Sequence, residues 1–266
     1  MRAHANRTPL LNVMVAAAEK AARRLVRDFG EVENLQVSKK GPADFVSAAD
    51  KECERTLTYE LQKARPKYGL LLEEGGEIVG SDTSNRWIVD PLDGTTNFLH
   101  GLAHFCISIG LERDGELFAG VILEPVNNQL FWAEQGKGAF LNGRRIRVSA
   151  RREMSESLFA TGIPFLGIDH HEAFTRQLNG VMGVSAGVRR FGSAALDLAY
   201  VAAGRYEGYW ENGLNPWDVA AGIVLVREAG GYVTDLSGGK GYLDGKGIIA
   251  ANPTLLNPLT KIVGSK

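Results

Sequence analysis

Trp87-Ile88-Val89-Asp90-Pro91-Leu92-Asp93-Gly94-Thr95-Thr96-Asn97 is an apolar strand with a proline between two aspartates, running directly into a turn of small residues. Trp87 to Val89 are strand formers, and Pro91 is predicted to stop the strand, so Asp90 and Asp93 project from its carboxyl end. The two carboxylates flank an exposed backbone carbonyl and form an oxygen-rich corner beside a small-residue cradle. Mg²⁺ takes octahedral oxygen ligation at about 2.0–2.1 Å and enlists a few carboxylates plus water and substrate phosphate. An Asp-x-x-Asp corner supplies such a half-shell. Asp-Gly after a strand is also an ordinary turn, so the corner gains weight only from acids elsewhere in the chain.

Two further segments supply them. Leu70-Leu71-Leu72-Glu73-Glu74-Gly75 is an apolar run ending in adjacent carboxylates, which taken alone is an unremarkable charged strand end. Asn215-Pro216-Trp217-Asp218 opens the apolar run Val219 to Val226, so Asp218 falls in the first turn of a predicted helix. A carboxylate there complements the helix dipole whether or not it binds anything.

The remaining pattern predicts layered α+β packing. Leu11, Met14, Val15, Ala18, Ala22, Leu25, Val26 and Phe29 recur at helical spacing opposite Lys20, Arg23, Arg24 and Arg27, which makes an amphipathic first helix rather than a signal peptide. Val37 to Ala48, with Gly41-Pro42, reads as a loop or turn, and Asp50 to Ala64 as a second helix. A meander follows: Cys106 to Arg113, Leu117 to Leu123, Gln129 to Glu134 and Arg145 to Val148, with Asp114-Gly115 and Asn142-Gly143 as hairpin turns. Ser193 to Ala203 and Asp218 to Ala229 read as helices, Tyr206 to Glu211 and Tyr232 to Asp235 as extended. Helices first, then a meander, then mixed units is the order of an α+β protein. No repeat or linker divides residues 1–266, which are read as one domain. A net charge of −1 argues against a nucleic-acid-binding face. Cys53 and Cys106 have neither disulfide nor zinc spacing, no stretch reaches the roughly 20 apolar residues of a membrane span, and the cytoplasm is the expected location.

Taken together, these segments resemble the inositol monophosphatase family, within the wider group of Mg²⁺-dependent, lithium-sensitive phosphatases. One family signature reads as Trp87 to Phe98 and the other as Trp217-Asp218-Val219-Ala220-Ala221-Gly222. The likeness extends through Lys39 to Asp50, Gly192-Ser193-Ala194-Ala195 and Glu211, nearly the whole chain. It implies the αβαβα sandwich of the fructose-1,6-bisphosphatase type, a homodimer, and hydrolysis of myo-inositol monophosphate with two or three Mg²⁺ ions. By resemblance, Glu73, Asp90 and the Leu92 carbonyl hold the ion that activates the attacking water. Asp90, Asp93 and Asp218 hold the ion that stabilises the leaving oxygen. Thr95 orients the water, with Asp50 or Glu73 receiving its proton, and the Gly94 and Thr95 amides meet the phosphate. Asp93 and Asp218 also border the bound substrate.

The substrate is less tightly specified. Glu211 matches the family's acceptor for ring hydroxyls, and Gly192, Ser193 and Ala194 match the segment lining the ring. Arg189 and Arg190 offer charge to the phosphate or reach a partner subunit, and Lys39 corresponds to a basic position in an early loop. The chain departs from the common animal version at Ser193 and Asn215-Pro216, and its Glu73-to-Asp90 interval is short. Histidinol phosphate and other small phosphate monoesters therefore stand as alternatives. So does an additional role with the transcription machinery, although contact with nucleic acid or RNA polymerase has no support in the net charge.

Overall fold

The computed structural model describes residues 7–31, 37–39, 45–164 and 171–264. An eight-stranded sheet has the order β10-β9-β8-β7-β6-β5-β3-β4. Its strands are β3 (Tyr68–Leu72), β4 (Gly76–Ile78), β5 (Asp82–Asp93), β6 (Cys106–Arg113), β7 (Glu116–Glu124), β8 (Gln129–Glu134), β9 (Gly138–Leu141) and β10 (Arg144–Ile146). A five-stranded sheet has the order β12-β11-β13-β15-β14. It comprises β11 (Leu158–Thr161), β12 (Gly187–Arg189), β13 (Gly208–Glu211), β14 (Tyr232–Thr234) and β15 (Ile248–Ala251). Helices α1 (Pro9–Phe29) and α2 (Ala48–Ala64) cover the outer face of the large sheet. Helices α5 (Ala194–Ala202) and α6 (Pro216–Glu228) lie between the sheets, and α4 (His171–Met182) and α7 (Leu256–Val263) cover the far face of the small one. The order of layers is αβαβα, as the resemblance implied.

Each layer follows from its sequence pattern. The buried face of α1 runs from Leu11 through Met14, Val15, Ala18 and Leu25 and packs against the sheet residues Trp87, Val89, Ile107 and Val121. α6 is apolar all round, Val219 to Val226, because it has a sheet on either side. It approaches the large sheet closely because Gly120 carries no side chain: a Cβ there would sit 2.5 Å from the Ala221 carbonyl oxygen. The Asp114-Gly115 and Asn142-Gly143 pairs all have positive φ, the requirement of the tight hairpin turns that the sequence indicated.

Two expectations are corrected. Pro91 does not end its strand: β5 continues to Asp93, and the ladder to β6 shifts register between Asp90 and Asp93. A bulge accommodates the residue that has no N–H to donate. Val37 to Ala48 is not simply a loop, since β1 (Val37–Lys39) and β2 (Phe45–Ser47) pair antiparallel and α2 begins at Ala48. The Gly41-Pro42 pair and the side chain of Lys39 lie outside the described residues.

Candidate active site

The carboxyl ends of β3, β5, β11 and β13 and the amino ends of α5 and α6 converge on one cleft of about 350 Å³. Its wall includes Glu73, Asp90, Asp93, Thr95, Glu211 and Asp218, drawn from segments far apart in sequence. The bulge in β5 is what turns both aspartates of the corner toward it. Asp90 is only 2% exposed, and its Oδ1 accepts the Leu92 N–H at 2.9 Å. Half-buried Asp93 points its Oδ2 at the start of α5, accepting from the Ser193 hydroxyl at 2.5 Å and the Ala195 N–H at 2.8 Å. Asp218 closes a capping box with Asn215, accepting its N–H at 2.7 Å. Thus Asp218 does complement its helix terminus, and it borders the cleft as well.

Burial pushes the Asp90 carboxyl well above the usual range, and the charges of Glu73, Asp93, Asp218 and Asp50 push it further. Asp93 is raised by burial against the pull of Ser193 and the α5 amides, and Asp218 by burial and then by Asp93. So many oxygens of one charge at one cleft describe a cation site. Asp50, almost fully buried on α2, extends it: one oxygen each from Asp50, Glu73 and Glu74 lies within 4.8 Å of the others. This hard-oxygen donor set suits Mg²⁺.

Thr95 opens the short helix α3 (Thr95–Leu99) after Gly94, whose φ of +96° makes the turn possible. Its hydroxyl lies 2.9 Å from the Leu92 carbonyl and 3.4 Å from Asp50 Oδ2. Asn97 ties this turn to the opposite wall, donating to the carbonyls of His104 at 2.8 Å and Phe191 at 2.7 Å.

On the substrate side, Gly192, Ser193, Ala194 and Glu211 all line the cleft. Ser193 is buried with its hydroxyl directed to Asp93, so it supports an acid as well as forming the wall. Arg189 is not on that wall: its Nη1 turns back to the Val188 carbonyl at 3.1 Å, and Arg190 borders the cleft instead. Sequence reasoning also passed over Gly162 and Tyr209. Gly162 faces Glu211, and Tyr209 donates to Glu211 Oε2 at 2.5 Å. Two-residue alternation along a strand places Tyr209 and Glu211 on one face and was the available signal.

With this geometry in place, a family comparison decides the assignment: the inositol monophosphatase family model matches residues 6–264. The chain belongs to the inositol monophosphatase family. An inositol-1-monophosphatase of Rhizobium meliloti (strain 1021) is 55% identical over 257 residues, covering 97% of each chain. The crystal structure of the extragenic suppressor protein suhB from Bartonella henselae is similar at 56% identity with a TM-score of 0.94, over 96% of this chain and 98% of that one. The Nus factor SuhB of Escherichia coli (strain K12) is 42% identical over 251 residues, 94% of each chain. Among the described residues no helix is long and apolar enough to cross a membrane.

Proposed function

We propose that this member of the inositol monophosphatase family hydrolyses myo-inositol monophosphate to myo-inositol and phosphate with Mg²⁺. The observation that carries the reading is the convergence of Glu73, Asp90, Asp93 and Asp218 on one cleft that also holds Glu211. Glu73, Asp90 and the Leu92 carbonyl would hold one ion, and Asp90, Asp93 and Asp218 another, with Asp50 and Glu74 beside Glu73 as further oxygens for a weaker third. Bound there, Mg²⁺ supplies positive charge to the phosphoryl oxygens, the nucleophilic water and the leaving oxygen.

The chain's own groups do the rest. Thr95 Oγ1 accepts the proton of the attacking water while passing its own to Asp50 Oδ2, the acceptor 3.4 Å away. The Gly94 and Thr95 amides meet phosphate oxygens, since successive N–H groups at a small-residue turn form an anion nest. Ser193 and Ala195 hold Asp93 in one orientation. Glu211 accepts hydroxyls of the polyol, and Arg190 places a positive charge at the same rim.

A substrate panel tests the reading. With Mg²⁺, kcat/KM for inositol 1-phosphate should exceed that for histidinol phosphate, fructose 1,6-bisphosphate and phosphoadenosine phosphate. A preference for histidinol phosphate would transfer the metal chemistry to a different leaving group.

A homodimer accords with the family and with exposed Leu102 and Phe191 beside the cleft turn. The similarity to proteins named Nus factor supports a second reading, contact with the transcription machinery. Retention of RNA polymerase by an inactive variant tests it.

A further inference from the structure

Glu211 is an acid in a hostile place. Burial, then the charge of Asp93, drive its carboxyl up to about 7, against the pull of the Tyr209 hydroxyl and the Arg190 charge. Three further observations explain how it is nevertheless held in one position. Tyr209 is fully buried in the layer between the sheets, and its hydroxyl donates to Glu211 Oε2 at 2.5 Å. Gly162, at the end of β11, leaves empty the volume that Glu211 fills: a Cβ at Gly162 would lie 1.8 Å from Glu211 Oε1 and 1.9 Å from its Cδ. Burial, then the charges of Glu211 and of Asp197, which is 1% exposed on α5, disfavour ionisation of Tyr209. Tyr209 therefore stays a phenol, able to donate.

We propose that Tyr209 and Gly162 form a clamp that positions Glu211, tying Oε2 to the protein interior and presenting Oε1 to a polyol hydroxyl. The inference rests on the reading of Glu211 as the acceptor for the substrate ring. In this arrangement Tyr209 is a positioning residue that never touches substrate. With Oε2 engaged by Tyr209 and the carboxyl held over Gly162, Oε1 is fixed in one place relative to the phosphate-binding turn, which is the geometry a ring hydroxyl of a seated substrate requires. Specificity for a polyol then depends on a residue from the interior layer and on the absence of a side chain on a neighbouring strand.

The test is a double-mutant cycle read by steady-state kinetics in Mg²⁺, with inositol 1-phosphate and p-nitrophenyl phosphate, an ester lacking the polyol. Tyr209→Phe should raise KM for inositol 1-phosphate about fivefold, with a smaller effect on kcat, and should add nothing in a Glu211→Gln background. Gly162→Ala should reproduce the Glu211→Gln phenotype, because the new methyl and the carboxylate compete for one volume. Thermal melts establish that each variant is folded. A Tyr209→Phe effect of equal size with and without the Glu211 carboxylate would show simple packing and overturn the clamp. So would an unchanged KM in Tyr209→Phe beside a raised KM in Glu211→Gln. If Glu211→Gln itself alters both substrates equally, the assignment of Glu211 to the ring falls, and the clamp with it.

Discussion

At the scale of single residues, the site is a set of acids that would repel one another in an apolar interior. Each has a specific reason to stay: Asp90 accepts the Leu92 amide, Asp93 meets the α5 amino end and Asp218 caps α6. Thr95 has a different task, because its hydroxyl lies between the Leu92 carbonyl and Asp50. Thr95→Ala should lower kcat by roughly 10²-fold with little change in KM, and Thr95→Ser should restore most of it. Rapid-mix and steady-state phosphate release measure this, and a fully active alanine variant would remove Thr95 from the proton path. The acids were legible because each stands at the end of an apolar run, Glu73 and Asp90 after one and Asp218 before one, with Asp93 one short step beyond Asp90. Tyr209 and Gly162 were not, since their importance comes from what β11 and β13 bring to Glu211.

At the scale of elements, α6 links the core to the chemistry: it fills the space between the sheets and carries Asp218 in its first turn. Its depth depends on Gly120, where added atoms would meet the backbone of Ala221. Gly120→Ala should therefore lower Tm by roughly 3–10 °C through overpacking. It should also weaken Mg²⁺ activation, because lifting α6 withdraws Asp218. Unchanged Mg²⁺ dependence in a destabilised variant would separate the helix position from the metal site. The hairpins of the meander were readable from Asp114-Gly115 and Asn142-Gly143, whose backbone demands few other residues meet. The extent of β5 was not, because a proline normally ends a strand and only the neighbouring β6 absorbs the bulge. The short strand β15 is an apolar run too brief for periodicity to distinguish from helix, and β12 has only three residues.

For the whole molecule, the accumulated acids give stability a definite pH dependence. Asp90, Asp93, Asp197, Asp218 and Glu211 all have folded-state values raised primarily by burial, Glu211 to about 7. The unfolded chain releases these protons near the ordinary values of 3.8 and 4.5. Between those values and about 7 the folded form holds more protons, so the metal-free protein should lose stability as pH rises through that window. His104, pushed by burial down to about 4 from 6.5, acts in the opposite sense, one group against five. A higher Tm at pH 5.5 than at pH 7.5 without metal is expected, with Mg²⁺ at pH 7.5 recovering the difference. A Tm that rises with pH in the absence of metal would contradict this assignment of the acids.

The central claim, that Asp90, Asp93 and Asp218 make this cleft a metal-dependent phosphatase, is tested most directly by phosphate release from inositol 1-phosphate across a Mg²⁺ titration. Wild-type protein and Asp93→Asn are compared, with melting curves establishing that both are folded. The account predicts no turnover without Mg²⁺ in the wild type, saturable activation on adding it, and a loss of about 10³-fold or more in Asp93→Asn at every concentration. Turnover by wild type in excess chelator, or undiminished turnover by folded Asp93→Asn, would contradict it.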